Sequence, residues 1–179
     1  MSNTLKSLAG IGIAVLLCGR ANAQGSGKAA NEKGPVQPAQ GVVSQRNLSL
    51  ALAKSIAEGA LAACQAKGYH TAVAVVDRAG QVMVILRDEQ ASAQTAEMAR
   101  RKAYTARMFR TTTLEFQKRT AEGAYAAQRD IADILALGGG APIQAGNEAI
   151  GGVGSSGSSQ EQDDACAKAG IAKVADQLK

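Results

Sequence analysis

The chain has no tryptophan, three tyrosines and two phenylalanines in 179 residues. With so few rings to stack on bases it is a poor candidate for a dedicated single-strand nucleic-acid binder. Its hydrophobic content of 46% must build a core from Ala, Val, Leu and Ile instead. There is one histidine, His70. That excludes a site of several histidines, and any Ser or Cys triad not centred on it. There is no C-x-x-C-H haem attachment motif. The formal charge of +5 is modest. Its charges are interspersed rather than blocked, so no polyanionic partner is implied. The carboxylate doublets Asp88-Glu89 and Asp163-Asp164 are sequence neighbours that point different ways, and so do not make an acid/base pair. Nothing signals hydrolysis or phosphoryl transfer.

No apolar run is long enough for a good transmembrane helix. The first 23 residues read as a secretory signal peptide: Lys6, the apolar stretch LAGIGIAVLL, and a small-x-small site at Ala21-Asn22-Ala23, with Gln24 as the mature N-terminus. A lipoprotein signal would use Cys18, but Leu17 stands where a small residue is needed. Cleavage leaves 18 basic and 15 acidic residues, a net charge of +3. Residues 24–46 are polar, aperiodic and Gly/Pro-bearing, as expected of a flexible lead-in. The folded domain is expected over 47–179, in a periplasmic or secreted protein with no stable membrane insertion after cleavage. Two cysteines then remain, Cys64 and Cys166. An even pair in an exported chain is commonly a disulfide, and antiparallel packing of the first and last helices would allow one. The alternative is two separate buried thiols.

Periodicity predicts the elements. Ser49 is a good N-cap for a helix carrying Leu52, Ile56, Ala60 and Ala63, which Gly68 stops. TAVAVVD and QVMVILRD read as a hairpin around Asp77-Arg78-Ala79-Gly80. A second helix is expected over 92–109, with a small-residue stripe of Ala96, Ala99, Ala103 and Ala106. Thr111 to Thr113 interrupt it, and LEFQKRTAEGAYAAQRD reads as a short helix plus loop. IADILALGGGAPI and NEAIGGVGSS read as a second strand pair turning at Gly146-Asn147. A last helix follows from Gln160, with a capping box of Ser158 and Glu161. The order indicates an α+β domain, a single antiparallel sheet flanked by helices.

GVGSSG, through Gly152, Gly154 and Gly157, fits G-x-G-x-x-G. A dinucleotide site needs a second parallel strand after the following helix, and none follows; no lysine completes a P-loop. The stretch is expected to be a strand-to-helix turn whose glycines allow positive φ and close backbone approach. The helix behind it offers free N–H groups to a carboxylate or phosphate.

LGGGAPI, AIGGVGSSG and EQDDACAKAG, in that order, resemble the C-terminal signature of the GlcG/HbpS haem-binding family, to which the PduO C-terminal domain is related. AVAVVDRAGQVMVILRDE and RRKAYTA resemble it too, so the likeness runs from about Leu48 to Leu178. The chain differs at SSGSSQ, where members usually carry a proline and one more residue. The resemblance implies a profilin/PAS-like sheet, haem as cofactor and a homo-oligomer. It implies a role in haem storage, transfer or sensing. A rival function also comes with the family, an accessory or enzyme of small-molecule catabolism holding an organic acid or corrinoid-like ligand.

Candidate haem-contacting residues are His70, Arg101, Lys102, Tyr104, Thr105 and Thr113. His70 and Thr113 are the iron-ligand candidates, since imidazole is a common axial ligand and the resemblance places the threonine region beside the haem. A neutral hydroxyl would hold iron weakly. Tyr69 and Tyr104 are possible phenolate ligands or packing residues. Arg100, Arg101, Lys102 and Arg107 suit haem propionates, though they do not all share a face. Each has a plainer reading: a strand-edge imidazole, a helix-ending threonine run, solvated helix charges. Asp77 reads as a turn cap.

Overall fold

The computed structural model describes residues 41–179; the expected signal peptide and most of the lead-in lie outside the described residues. In chain order the elements are α1 (Leu50–Gln65), β1 (Ala72–Val76), β2 (Val82–Arg87), α2 (Thr95–Phe109), α3 (Thr113–Arg119), β3 (Gly140–Ala145), β4 (Glu148–Ser156) and α4 (Gln160–Ala172). Short 3-10 turns at Gly123–Asp130 and Ala175–Leu178 complete it. The strands form one antiparallel sheet in the order β2-β1-β4-β3.

Local chemistry sets most boundaries. The Ser49 hydroxyl caps α1 by accepting from the Leu52 amide at 3.2 Å. Beyond the helix Gly68 takes φ +79°. Asp77 folds the hairpin: its Oδ1 accepts from the amides of Ala79 (2.8 Å) and Gln81 (2.9 Å), and Gly80 adopts φ +83°. Arg110, at φ 53°, ends α2, and the Thr112 hydroxyl caps α3 through the Glu115 amide.

Alternation along β1 divides the core. Val73 and Val75 join Ile56, Ala60, Ile143, Val153 and Ala167 under α1 and α4. Ala72, Ala74 and Val76 face Ala99 and Ala103 of α2. Helices therefore cover both faces of the sheet. Each fully buried Val or Ile contributes about 1.5–3 kcal/mol. Along α1 the contacts to α4 run in the opposite sense: Ala60 lies against Gly170, and Cys64 against Cys166. This antiparallel crossing brings the two cysteines to a Cα separation of 5.5 Å, and they form the expected disulfide. It spans 102 residues in sequence, which corresponds to about 4–5 kcal/mol by loop entropy.

The GVGSSG stretch is mostly strand. Gly152 and Gly154 lie in β4 beneath α2; a Cβ on Gly154 would stand 2.7 Å from the Ala103 nitrogen, and one on Gly152 would collide with the Ala103 carbonyl. They are the bed on which the alanine stripe rests, so close approach is their use, as expected. Only Gly157 of the three takes a positive φ, +142°.

Three expectations need correction. The second helix begins at Thr95 rather than 92, because both the Thr95 amide and hydroxyl bond the Ser92 carbonyl and close a turn there. Residues 131–139 are not strand. The Ile134 amide closes a turn onto the Ile131 carbonyl, two further amides go to side chains, Leu135 N–H to Thr105 Oγ1 (2.9 Å) and Gly138 N–H to Gln160 Oε1 (2.7 Å), and Asp133 takes φ 68°. The capping residue of α4 is Ser159, accepting from the Gln162 amide, while Ser158 turns to Asp163.

Candidate functional site

His70 lies just before β1, and the hairpin register brings the end of β2 beside it: Ala72 pairs with Arg87, and the Asp88 amide donates to the Thr71 carbonyl. The Asp88 side chain is buried, and its Oδ1 stands 3.0 Å from His70 Nδ1. Gln65 Nε2 donates to its other oxygen at 2.9 Å, and the Gln90 amide to the first at 2.9 Å. Gln65 foremost, then the Gln90 amide and His70, hold the Asp88 carboxyl down at about 2. A carboxylate on Nδ1 fixes the ring's tautomer and orientation and leaves Nε2 as the lone-pair donor, the arrangement found behind metal-bound histidines. The imidazole is 44% exposed.

Beyond the end of β4 at this same end of the sheet lies a cavity of about 340 Å³. It is lined by Ser92, Thr95, Met98, Lys102, Ser158 and Asp163 among others. Gly157 on its wall packs against the backbone of Thr71, next to His70. Its floor is a buried ion pair: Lys102 Nζ lies 2.9 Å from Asp163 Oδ2 and also donates to the Ser155 carbonyl and Ser156 hydroxyl. Burial pulls the Lys102 ammonium below its ordinary value, and Asp163 opposes the shift. The Ser158 amide and hydroxyl satisfy the other Asp163 oxygen.

The remaining candidates are tied into the scaffold. Arg101 donates to the Ile134 carbonyl at 2.7 Å. Thr105 donates to Arg101 and accepts from Leu135. Thr113 is fully buried, its hydroxyl accepting from the Gly140 amide at 2.8 Å. Tyr104 lies over Gly80, where a Cβ would stand 2.8 Å from its ring. Thr113 bonds β3 and His70 precedes β1, with β4 between those strands, so the two iron-ligand candidates stand in different places. Arg100 is engaged by Glu97 and Asp133, which raise its pKa. Tyr69 is 39% exposed in the loop before His70. Asp88 and Gln65 escaped the sequence reading. The hairpin register alone could have found Asp88, since it sets the end of β2 opposite the start of β1. Among the described residues no group of three or more His, Cys, Asp or Glu side chains gathers as a metal site, and no helix is long and apolar enough to cross a membrane.

The architecture is that of an α+β domain, one antiparallel sheet between helices with a carboxylate-backed histidine at its end. The chain belongs to the HbpS-like family, described as haem degrading protein HbpS-like, whose model matches residues 48–172. Among solved structures it is similar to a double mutant of Streptomyces reticuli HbpS, at 36% identity over 77% of this chain and 94% of that one, with a TM-score of 0.71. A PduOC:heme complex is 29% identical over 70% and 94% of the two chains, with a TM-score of 0.63. Klebsiella pneumoniae ORFY, 22% identical over 78% and 98%, shares the fold at a TM-score of 0.73. No curated protein sequence matches the chain.

Proposed function

We propose that this chain is an exported haem-binding protein that takes up haem reversibly, with His70 Nε2 as the iron ligand, for storage, transfer or sensing. The observation that carries the reading is the His70–Asp88–Gln65 relay: an oriented, half-exposed imidazole whose only side-chain partner is on the far ring nitrogen. The donor set fits haem, since neutral imidazole is the commonest protein ligand to its iron. Haem, when bound, supplies the iron chemistry. The chain's own residues orient the imidazole through the Asp88 carboxylate on Nδ1. Lys102 and Thr105 act from behind, fixing α2 to β4 and to the 131–139 loop, and Thr113 fixes α3 to β3. Arg101, bonded to Ile134, and Tyr104, over the far Asp77–Gly80 turn, take no part in this reading. A single exposed ligand makes the haem labile, which suits handing it on. Kinship to a haem complex and to a family named for haem supports the reading.

Hemin titration of the mature protein tests it. A saturable Soret shift at one haem per chain is expected, weakened by His70→Ala. A flat titration overturns it. Export rests on the N-terminal pattern. Protein from its host should begin at Gln24; a cytoplasmic chain starting at Met1 or Ser2 contradicts that.

A further inference from the structure

The other end of the sheet carries a different cluster, one that does not rest on the haem reading. There the Asp77–Gly80 turn joins β1 to β2, and the last turn of α2 passes above it. Gln45, Asn47, Arg78, Ala79 and Arg107 line a pocket of about 260 Å³, and no carboxylate is among them. Arg107 Nε is buried with no hydrogen-bond partner. The guanidinium makes no ion pair among the described residues, although it is partly enclosed. Burial, then the neighbouring charges of Arg110 and Arg78, push its pKa down, with only Asp77 opposing.

Neither local carboxylate makes an ion pair with Arg107. Asp77 Oδ1 caps its own turn. Glu148 pairs with Arg78 at 2.6 Å and with Arg46 at 3.5 Å. Four guanidiniums, those of Arg46, Arg78, Arg107 and Arg110, therefore meet two carboxylates, and two positive charges are left over. Asn47 Oδ1 accepts from the amides of Leu48 and Arg78, which leaves its NH2 group to donate. The wall thus offers donors and no negative charge. A buried guanidinium nitrogen without a hydrogen-bond partner is costly. A native chain that keeps one calls for an explanation, and an ion is one. Guanidinium forks match the paired oxygens of carboxylates and phosphates.

We propose that this pocket binds a small dianionic oxyanion, a phosphate group or a dicarboxylate, between Arg78 and Arg107 with the Asn47 amide as third donor. The site is separate from His70. It lies at the opposite end of β1, and a five-residue strand at about 3.3 Å per residue spans roughly 17 Å.

The test uses the whole mature protein, melted in phosphate, sulfate or malonate against chloride at equal ionic strength. The wild type should melt higher in a dianion than in chloride; which dianion gives the larger shift tells tetrahedral from dicarboxylate ligands. Arg107→Gln should melt no lower than wild type in chloride, because it removes an unpaired, partly enclosed charge, and should lose the dianion shift. Its dissociation constant for the preferred dianion should rise about tenfold or more. An unchanged melting temperature in every dianion, or a full shift retained in Arg107→Gln, overturns the proposal. If Arg107→Gln fails to fold, backbone and guanidinium NMR shifts of the wild type under phosphate titration decide. Movement at Asn47, Arg78 and Arg107 supports the site, and movement confined to Ser158–Gln160 at the α4 N-terminus overturns it.

Discussion

The two ends of the sheet use the same kinds of side chain to opposite effect. At the His70 end two acids are each matched to one side chain, Asp88 to His70 and Asp163 to Lys102. Both acids are buried and hydrogen-bonded on both oxygens, so neither is free to meet a further cation. What remains available is a neutral lone pair on an oriented imidazole, which suits a metal. At the Arg107 end the cations outnumber the acids, and one guanidinium nitrogen is buried without a partner. That end suits an anion. Charge balance, rather than residue type, decides what each end can hold.

The comparison breaks most severely at Asp163. Asp163→Asn leaves Lys102 charged and buried without its partner, and breaking such a pair costs about 3–5 kcal/mol. Urea denaturation should show a loss of that order, with much of it recovered in the apolar double substitution Lys102→Met with Asp163→Leu. A loss below about 1 kcal/mol for the single change would mean that the pair is more solvated than its geometry indicates.

A smaller effect appears on acidification. The folded pKa of Asp88 is about 2 against an ordinary 3.8. With the folded value depressed, the stability it contributes is complete above about 3.8 and is lost as pH falls toward 2. Glu148 is also lowered, chiefly by its bond from Arg78, so the Arg107 end loses stability in acid too. Urea midpoints measured stepwise through this window should fall less steeply in Asp88→Asn than in the wild type. Parallel curves would remove Asp88 from the account.

Much of the fold was legible in the sequence because the elements carry local signals. Ser49, Gly68, the Asp77 turn and the alanine stripe each act within a few residues, and the cysteine pair followed from compartment and helix order. Residues 131–139 were not legible, since their apolar run reads as strand while two of their amides are claimed by Thr105 and Gln160 from distant elements. The glycines of β4 were read as a turn because sequence shows that Cβ is absent, not which helix needs the space. The site was half legible. His70 stood out as the lone histidine, but Gln65 reaches Asp88 only after α1 packs beside the hairpin. Lys102 read as a propionate contact, or else a solvated helix charge, because Asp163, its partner, is 61 residues away.

Chemical rescue of the iron ligand tests the central claim most directly. His70→Gly is loaded with hemin, passed through gel filtration, and its Soret spectrum recorded with and without added imidazole, beside Thr113→Val without imidazole. The account predicts that His70→Gly loses the wild-type spectrum and that imidazole restores it in the protein-bound fraction. It also predicts that Thr113→Val, whose hydroxyl serves Gly140, keeps the wild-type spectrum. A wild-type spectrum in His70→Gly without imidazole, together with an altered one in Thr113→Val, would contradict it and move the iron to the α2–α3 junction.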